Sequence, residues 1–222
     1  MINMTILLTL YAGFTHAFET DHILAVSNMV TIRNKTFKAI KDGMYWGFGH
    51  TSTILLIGII FLLLKFKIAP ATFKYFEAAV GVMLVVLGIY RIYQWYTKEE
   101  PVLHTHPNGH AHSHTHIHTV TKTTKEHSCW PAYLIGLIHG LAGSGALILI
   151  VLGNSQTITN GLIYLLLFGL GSVGGMMIAA GAFSLPFSKK IISNNMLQTV
   201  LIFASALLCI GYGAMVIKEN LM

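Results

Sequence analysis

Six times along this chain a run of about twenty apolar residues is closed by a polar connection, and that rhythm restricts the fold more than any single motif. The runs lie near Met4–Val26, Tyr45–Leu64, Phe76–Tyr96, Ala132–Leu152, Gly161–Phe183 and Leu197–Ile217. A helix rising about 1.5 Å per residue needs roughly 20 residues to cross a hydrocarbon core about 30 Å thick, and each run approaches or exceeds that length. The runs are continuous rather than alternating, so helices are expected and not the strands of a barrel. Only 10% of the 222 residues are charged and 54% are hydrophobic, against about 25% charged in an ordinary soluble domain. A soluble core could not hide that much apolar surface. The expectation is an all-α integral membrane protein, with one membrane domain over residues 1–222.

The connections carry the topology signal. Arg33, Lys35, Lys38, Lys41, Lys98, Lys122, Lys125, Lys189 and Lys190 fall in the first, third and fifth connections. Only Lys65, Lys67 and Lys74 fall in the second and fourth. The positive-inside rule then puts both termini outside and the long third loop in the cytoplasm, in a multi-pass protein of the cytoplasmic membrane. The net charge of +6 is spread between apolar spans, so it reads as topology and not as a nucleic-acid surface. Cys129 and Cys209 sit at a loop edge and inside an apolar run, a placement that offers no disulfide framework and no Cys-x-x-Cys zinc site. The start lacks a basic segment ahead of its apolar run, so a cleaved signal peptide is not expected.

The chain also repeats itself. Gly13-x-x-His16 recurs as Gly136-x-x-His139, and Leu87-Gly88-Ile-Tyr90 recurs as Ile210-Gly211-Tyr212, at one offset: 136 − 13 = 123 and 211 − 88 = 123. Phe48-Gly49 and Phe168-Gly169 fall close to it. Three helices per half give two inverted repeats, residues 1–96 and 131–222, flanking a loop at 97–130. Transporters built this way hold their site at the repeat interface near the midplane.

Chemistry concentrates in the first run. His16, Glu19, Asp21 and His22 lie at membrane depth, where ionisable groups are costly and usually line an ion or substrate path. Imidazole and carboxylate are also ligands for divalent transition metals. On a regular helix, at about 100° per residue, His22 points about 120° away from His16. Either the helix is broken near Glu19–Asp21, or one of the two histidines acts behind the ligand shell. His50 follows Phe48-Gly49 and precedes Thr51-Ser52-Thr53; beside the first cluster it is a candidate nitrogen ligand, and alone it would be a packing residue. His139, mirroring His16 in the repeat, is a further candidate with no acidic neighbour in sequence. The small-residue runs around Gly140–Gly145 and Gly169–Gly175 are read as tight helix packing.

The third loop holds His104, His106, His110, His112, His114, His116, His118 and His127. Every second residue from His110 to His118 is histidine, so an extended segment presents them on one side. Such thiol-free tracts bind nickel, zinc, copper or cobalt and serve for metal capture; without metal the loop is expected to be disordered.

His16-Ala-Phe-Glu-Thr-Asp21-His22 resembles the His-x4-Asp-His signature of nickel/cobalt transporters. Phe48-Gly49-His50-Thr51-Ser52-Thr53 is similar to the second-helix motif of that family. The run from His139 to Ala146 resembles its shorter, six-span, urease-accessory (UreH-like) branch. The resemblance implies transport of nickel or cobalt, with His16, Asp21, His22 and His50 needed for metal selection and passage. Later acidic motifs of the larger members are missing, so metal identity and energy coupling stay open. Uptake is favoured over efflux for metal resistance; a non-transporting membrane metal sensor or docking protein for a metallochaperone is the other alternative. No resident cofactor is expected, only Ni2+ or Co2+ as the transported ion, with lipid and a cytoplasmic metallochaperone as partners. His16-x4-Asp21 also matches lipid acyltransferases, but their second, arginine-containing motif is absent and an enzyme is not expected.

Overall fold

A computed structural model describes residues 2–31, 35–64, 70–97, 128–142, 157–187 and 195–222. The histidine tract His104–His118, the run Gly143-Ser144-Gly145 with the rest of the expected fourth span to Leu152, and most of the loop lysines used for orientation lie outside the described residues. The helices are α1 (Ile2–His16), α2 (Thr20–Val30), α3 (Thr36–Leu64), α4 (Pro70–Tyr96), α5 (Trp130–Ala142), α6 (Ile158–Ser184) and α7 (Asn195–Leu221), with a short 3-10 turn at Leu185–Phe187 after α6. Among the described residues, four stretches are long and apolar enough to cross a membrane: Thr36–Leu63, Thr72–Tyr96, Ile158–Phe187 and Met196–Leu221. Trp130–Leu141 is a shorter apolar helix.

The first apolar run is two helices, not one. Phe18 and Glu19 donate their backbone N–H groups to the carbonyls of Thr15 and His16 at 2.9 and 3.0 Å, a tighter i→i−3 pattern that ends α1. Glu19 is then extended, with φ −64° and ψ 155°, and caps the start of α2. Asp21 follows in the first turn of α2, where a negative charge is favoured by the helix dipole. At 15 and 11 residues neither piece would cross a bilayer alone.

The interior is mostly apolar, as in a soluble protein, but much of the outer surface is apolar too and several ionisable groups lie inside. Leu7, Leu56, Leu63, Val86, Leu207 and Leu208 are exposed, whereas His16, His22, His50, His139, Asp42 and Arg91 are buried. Apolar side chains on the outside, with the few ionisable groups kept inside, suit a bilayer. The chain is a multi-pass, all-helical membrane protein.

Close backbone approach at glycines sets the helix order. A Cβ on Gly49 of α3 would meet the Tyr133 carbonyl and the Leu137 amide of α5, and one on Gly171 of α6 would meet the Leu10 carbonyl and the Phe14 amide of α1. Gly136 and Gly13 complete the same two pairs, against Trp46 and Phe168 respectively. Gly140 continues the first pair against His50 and Thr53, and Gly175 continues the second against Phe14 and Ala17, so α5 runs parallel to α3 and α1 runs parallel to α6. Helices α3 and α6 are antiparallel, with Gly43 against Met176 and Gly58 against Leu165. Helices α4 and α7 are also antiparallel, with Gly81 against Gly213 and Gly88 against Ala206. Helix α2 is held from two sides: Arg91 of α4 donates from Nη2 to the Thr31 carbonyl at 3.0 Å, and the Cys209 thiol of α7 lies 3.9 Å from the Leu24 carbonyl.

Candidate metal site at the helix break

The break at Ala17–Glu19 turns His16, the last residue of α1, and His22, in the first turn of α2, toward each other. Their ring centroids are 4.5 Å apart, which a straight helix would not allow. His50 of α3 lies 5.3 Å from each of them. His139 of α5 reaches His22 at 4.1 Å between centroids. All four rings are buried, at 2% exposure for His16 and 0% for the others.

Asp21 ties two of these rings together. Its Oδ1 accepts from the backbone N–H of His22 at 2.9 Å and lies 3.0 Å from His22 Nδ1. Its Oδ2 lies 2.8 Å from His139 Nε2. An ionised carboxylate only accepts, so the protons of these imidazoles sit on His22 Nδ1 and His139 Nε2. That tautomer leaves lone pairs on His22 Nε2 and His139 Nδ1, and neither atom has a hydrogen-bond partner. His16 Nδ1 lies 2.9 Å from Glu19 Oε1 but is not aligned as a hydrogen bond, and His16 Nε2 has no partner. His50 has none on either ring nitrogen. Leaving one buried polar group unsatisfied costs about 1–3 kcal/mol, so a core holding several such nitrogens is suited to accept a ligand.

Two overlapping ligand sets result, His16/His22/His50 and Asp21/His22/His139, with donor atoms in each set within 4.8 Å of one another. His22 belongs to both. Trp46, four residues before His50 and so on the same face of α3, packs 5.5 Å from His22 and 5.6 Å from His139. Phe168 of α6 closes the other side, 5.3 Å from His16. These aromatic walls keep the rings in place.

Of the residues singled out in the sequence, His16, Asp21, His22, His50 and His139 therefore converge. Glu19 stands at the edge, its side chain 54% exposed. The loop set His104–His118 is outside the described residues. His139 is less isolated than its sequence neighbours suggest: its acidic partner arrives from α2, 118 residues away. Trp46 is the wall residue that sequence reasoning missed, although its spacing from His50 was visible.

Residues 6–215 match the model of the family described as the transmembrane region of cytochrome C biogenesis proteins. Over 203 residues the chain is 34% identical to the urease accessory protein UreH of Bacillus sp. (strain TB-90), an alignment covering 90% of this chain and 86% of that protein. The chain belongs to the UreH family of transmembrane proteins. It is also 25% identical over 215 residues to the chloroplast protein FOR GROWTH AND FERTILITY 2 of Arabidopsis thaliana, covering 95% of this chain and 55% of that protein. No solved structure matches significantly. These matches show the UreH family and do not test the wider resemblance to nickel/cobalt transporters read from the first motif.

Proposed function

We propose that this UreH relative carries a divalent transition-metal ion, nickel or cobalt, inward across the cytoplasmic membrane. The observation that carries this reading is the convergence of four buried histidines and Asp21 from α1, α2, α3 and α5 at a break in a membrane helix. Buried imidazoles with a purely structural role are expected to have their ring nitrogens hydrogen-bonded. Here several lone pairs face one another without partners. The relative's role as a urease accessory protein makes nickel the first ion to test.

The chemistry follows from the donor set. A hydrated ion must lose water to enter the bilayer, which is tolerable only where protein ligands replace that shell. Neutral His16, His22 and His50 supply nitrogens, and Asp21 supplies negative charge and orients His22 and His139. Donors on one ion at about 2.0–2.1 Å stand at most roughly 4.2 Å apart. Sets spread within 4.8 Å need close by no more than about 0.6 Å to hold it. Because His22 belongs to both sets, an ion can pass from the Asp21/His139 side to the His16/His50 side by exchanging ligands around one ring. Such a site must bind weakly enough to release, and retained water is expected.

The wider architecture belongs to the same proposal: six spans in two inverted three-helix repeats, both termini outside, and a cytoplasmic histidine-rich loop that concentrates metal for a metallochaperone. The glycine contacts support the repeat. The Gly49–Tyr133/Leu137 approach and the Gly171–Leu10/Phe14 approach correspond at offsets of 171 − 49 = 122, 133 − 10 = 123 and 137 − 14 = 123. His16 and His139, related by the same offset, meet at the shared His22 ring.

Radiolabelled nickel flux into proteoliposomes, with the pH gradient set in each direction, tests the function. Saturable wild-type flux that disappears in His22→Ala supports it. Flux equal to that of empty vesicles, in protein shown to be inserted, rejects it, and outward-only movement would replace uptake with efflux.

A further inference from the structure

Trp46 of α3 is fully buried, and its indole Nε1 has no hydrogen-bond partner. Between ring centroids it stands 5.5 Å from His22 and 5.6 Å from His139, and those two imidazoles are 4.1 Å apart, so the three rings form a triangle. Each ring of the triangle carries one unpartnered nitrogen: Trp46 Nε1, His22 Nε2 and His139 Nδ1. With Asp21 fixing the protons on His22 Nδ1 and His139 Nε2, the two imidazole nitrogens are acceptors. An indole nitrogen only donates. One donor and two acceptors thus stand side by side with no bond between them.

Packing accounts for an aromatic wall against the imidazoles, but not for its polar atom. A buried indole N–H usually finds an acceptor, and an empty one is costly. The triangle lacks a small species that accepts from the indole and also serves the lone pairs. A bare cation cannot accept, and a simple anion cannot serve a lone pair. Water does both, and three polar partners fall within the two to four that a buried water requires. With hydrogen bonds of about 2.7–3.0 Å, one water joins polar atoms up to roughly 6 Å apart.

We propose that Trp46 holds a water on the transported ion, its Nε1–H donating to the oxygen of that water. The inference rests on the transport reading above and names the group that keeps the site open. Water oxygen has two lone pairs, one for the ion and one for the indole. When His22 and His139 turn their own lone pairs to the ion, the water remains between ion and Trp46. A shell closed by protein ligands alone holds an ion as a structural site does; a retained water keeps one position exchangeable. Trp46 is a positioning residue, since it touches the ion's water and not the ion.

The chain has 3 tryptophans, so full-length protein carrying Trp95→Phe and Trp130→Phe leaves Trp46 as the sole indole. Quenching of its fluorescence by NiCl2, lost in His22→Ala, reports occupancy of the buried site. Ultraviolet resonance Raman spectra report hydrogen bonding at the indole N–H. In the nickel-loaded protein that N–H should be hydrogen-bonded. A free N–H in protein whose Trp46 is quenched would overturn the proposal and leave the metal site standing. Absence of quenching would overturn the site, and the proposal with it. Replacing Trp46 by benzothienylalanine keeps the shape and puts sulfur in place of the N–H. In proteoliposomes this change and Trp46→Phe should each raise the nickel concentration for half-maximal flux by about 2- to 10-fold. An unchanged value in the benzothienylalanine protein would make the indole a wall only and overturn the proposal.

Discussion

Asp21→Asn is the most discriminating substitution, because it preserves shape while removing the charge and one acceptor. The Asn carbonyl can take over the contacts of Oδ1 with His22. Its NH2 group, however, would face His139 Nε2 where Oδ2 now lies at 2.8 Å, donor against donor. His139 must then move its proton to Nδ1, the nitrogen whose lone pair is otherwise vacant, and the second ligand set is lost. Charge adds to this. For an ion held in the His16/His22/His50 set, taken to lie roughly 6 Å from the Asp21 carboxylate, an effective dielectric near 20 gives an attraction of about 5–6 kcal/mol. That is a ceiling, since the histidines and water readjust. Removing a carboxylate that orients ligating histidines costs 10–100-fold in metal affinity elsewhere, about 1.4–2.8 kcal/mol. Asp21 does both, so its replacement should weaken nickel binding by about 100-fold or more. Equilibrium dialysis of purified protein, with seven of the eight loop histidines removed by deleting 104–118, measures this directly. A dissociation constant within threefold of the parent protein would refute the role given to Asp21.

Further outcomes follow from the same geometry. His16→Ala and His22→Ala should each abolish nickel flux without preventing membrane insertion, while His50→Ala and His139→Ala should reduce it, as read in proteoliposomes. Deleting His104–His118 should leave flux present with altered apparent affinity; loss of flux in inserted protein would make the loop part of the path. The ligating imidazoles must be neutral, so protons compete with metal: binding at about pH 7.5 should exceed binding at about pH 5, with protons released on metal addition, in titration calorimetry.

Membrane residence and the long helices were legible because an apolar run is a direct record of what faces lipid. Hydropathy underestimates helix length at charged ends, which is why α3 begins at Thr36 and not Tyr45: its first turns carry Lys38, Lys41 and Asp42. The break after His16 was only half legible. Ala17 and Phe18 continue the apolar pattern, and nothing in them announces that Glu19 is extended; the 120° disparity between His16 and His22 was the one clue. The pairing of Asp21 with His139 could not be read at all, since it depends on α5 lying parallel to α3.

The central claim is that the buried cluster itself ligates the transported ion. Nickel K-edge X-ray absorption on protein lacking residues 104–118 tests it without interference from the loop. The account predicts one bound nickel with a nitrogen/oxygen shell near 2.0–2.1 Å and imidazole scattering from at least two histidines, lost in His22→Ala. Undiminished nickel with the same imidazole signature in the combined variant His16→Ala/His22→Ala/His50→Ala would contradict it.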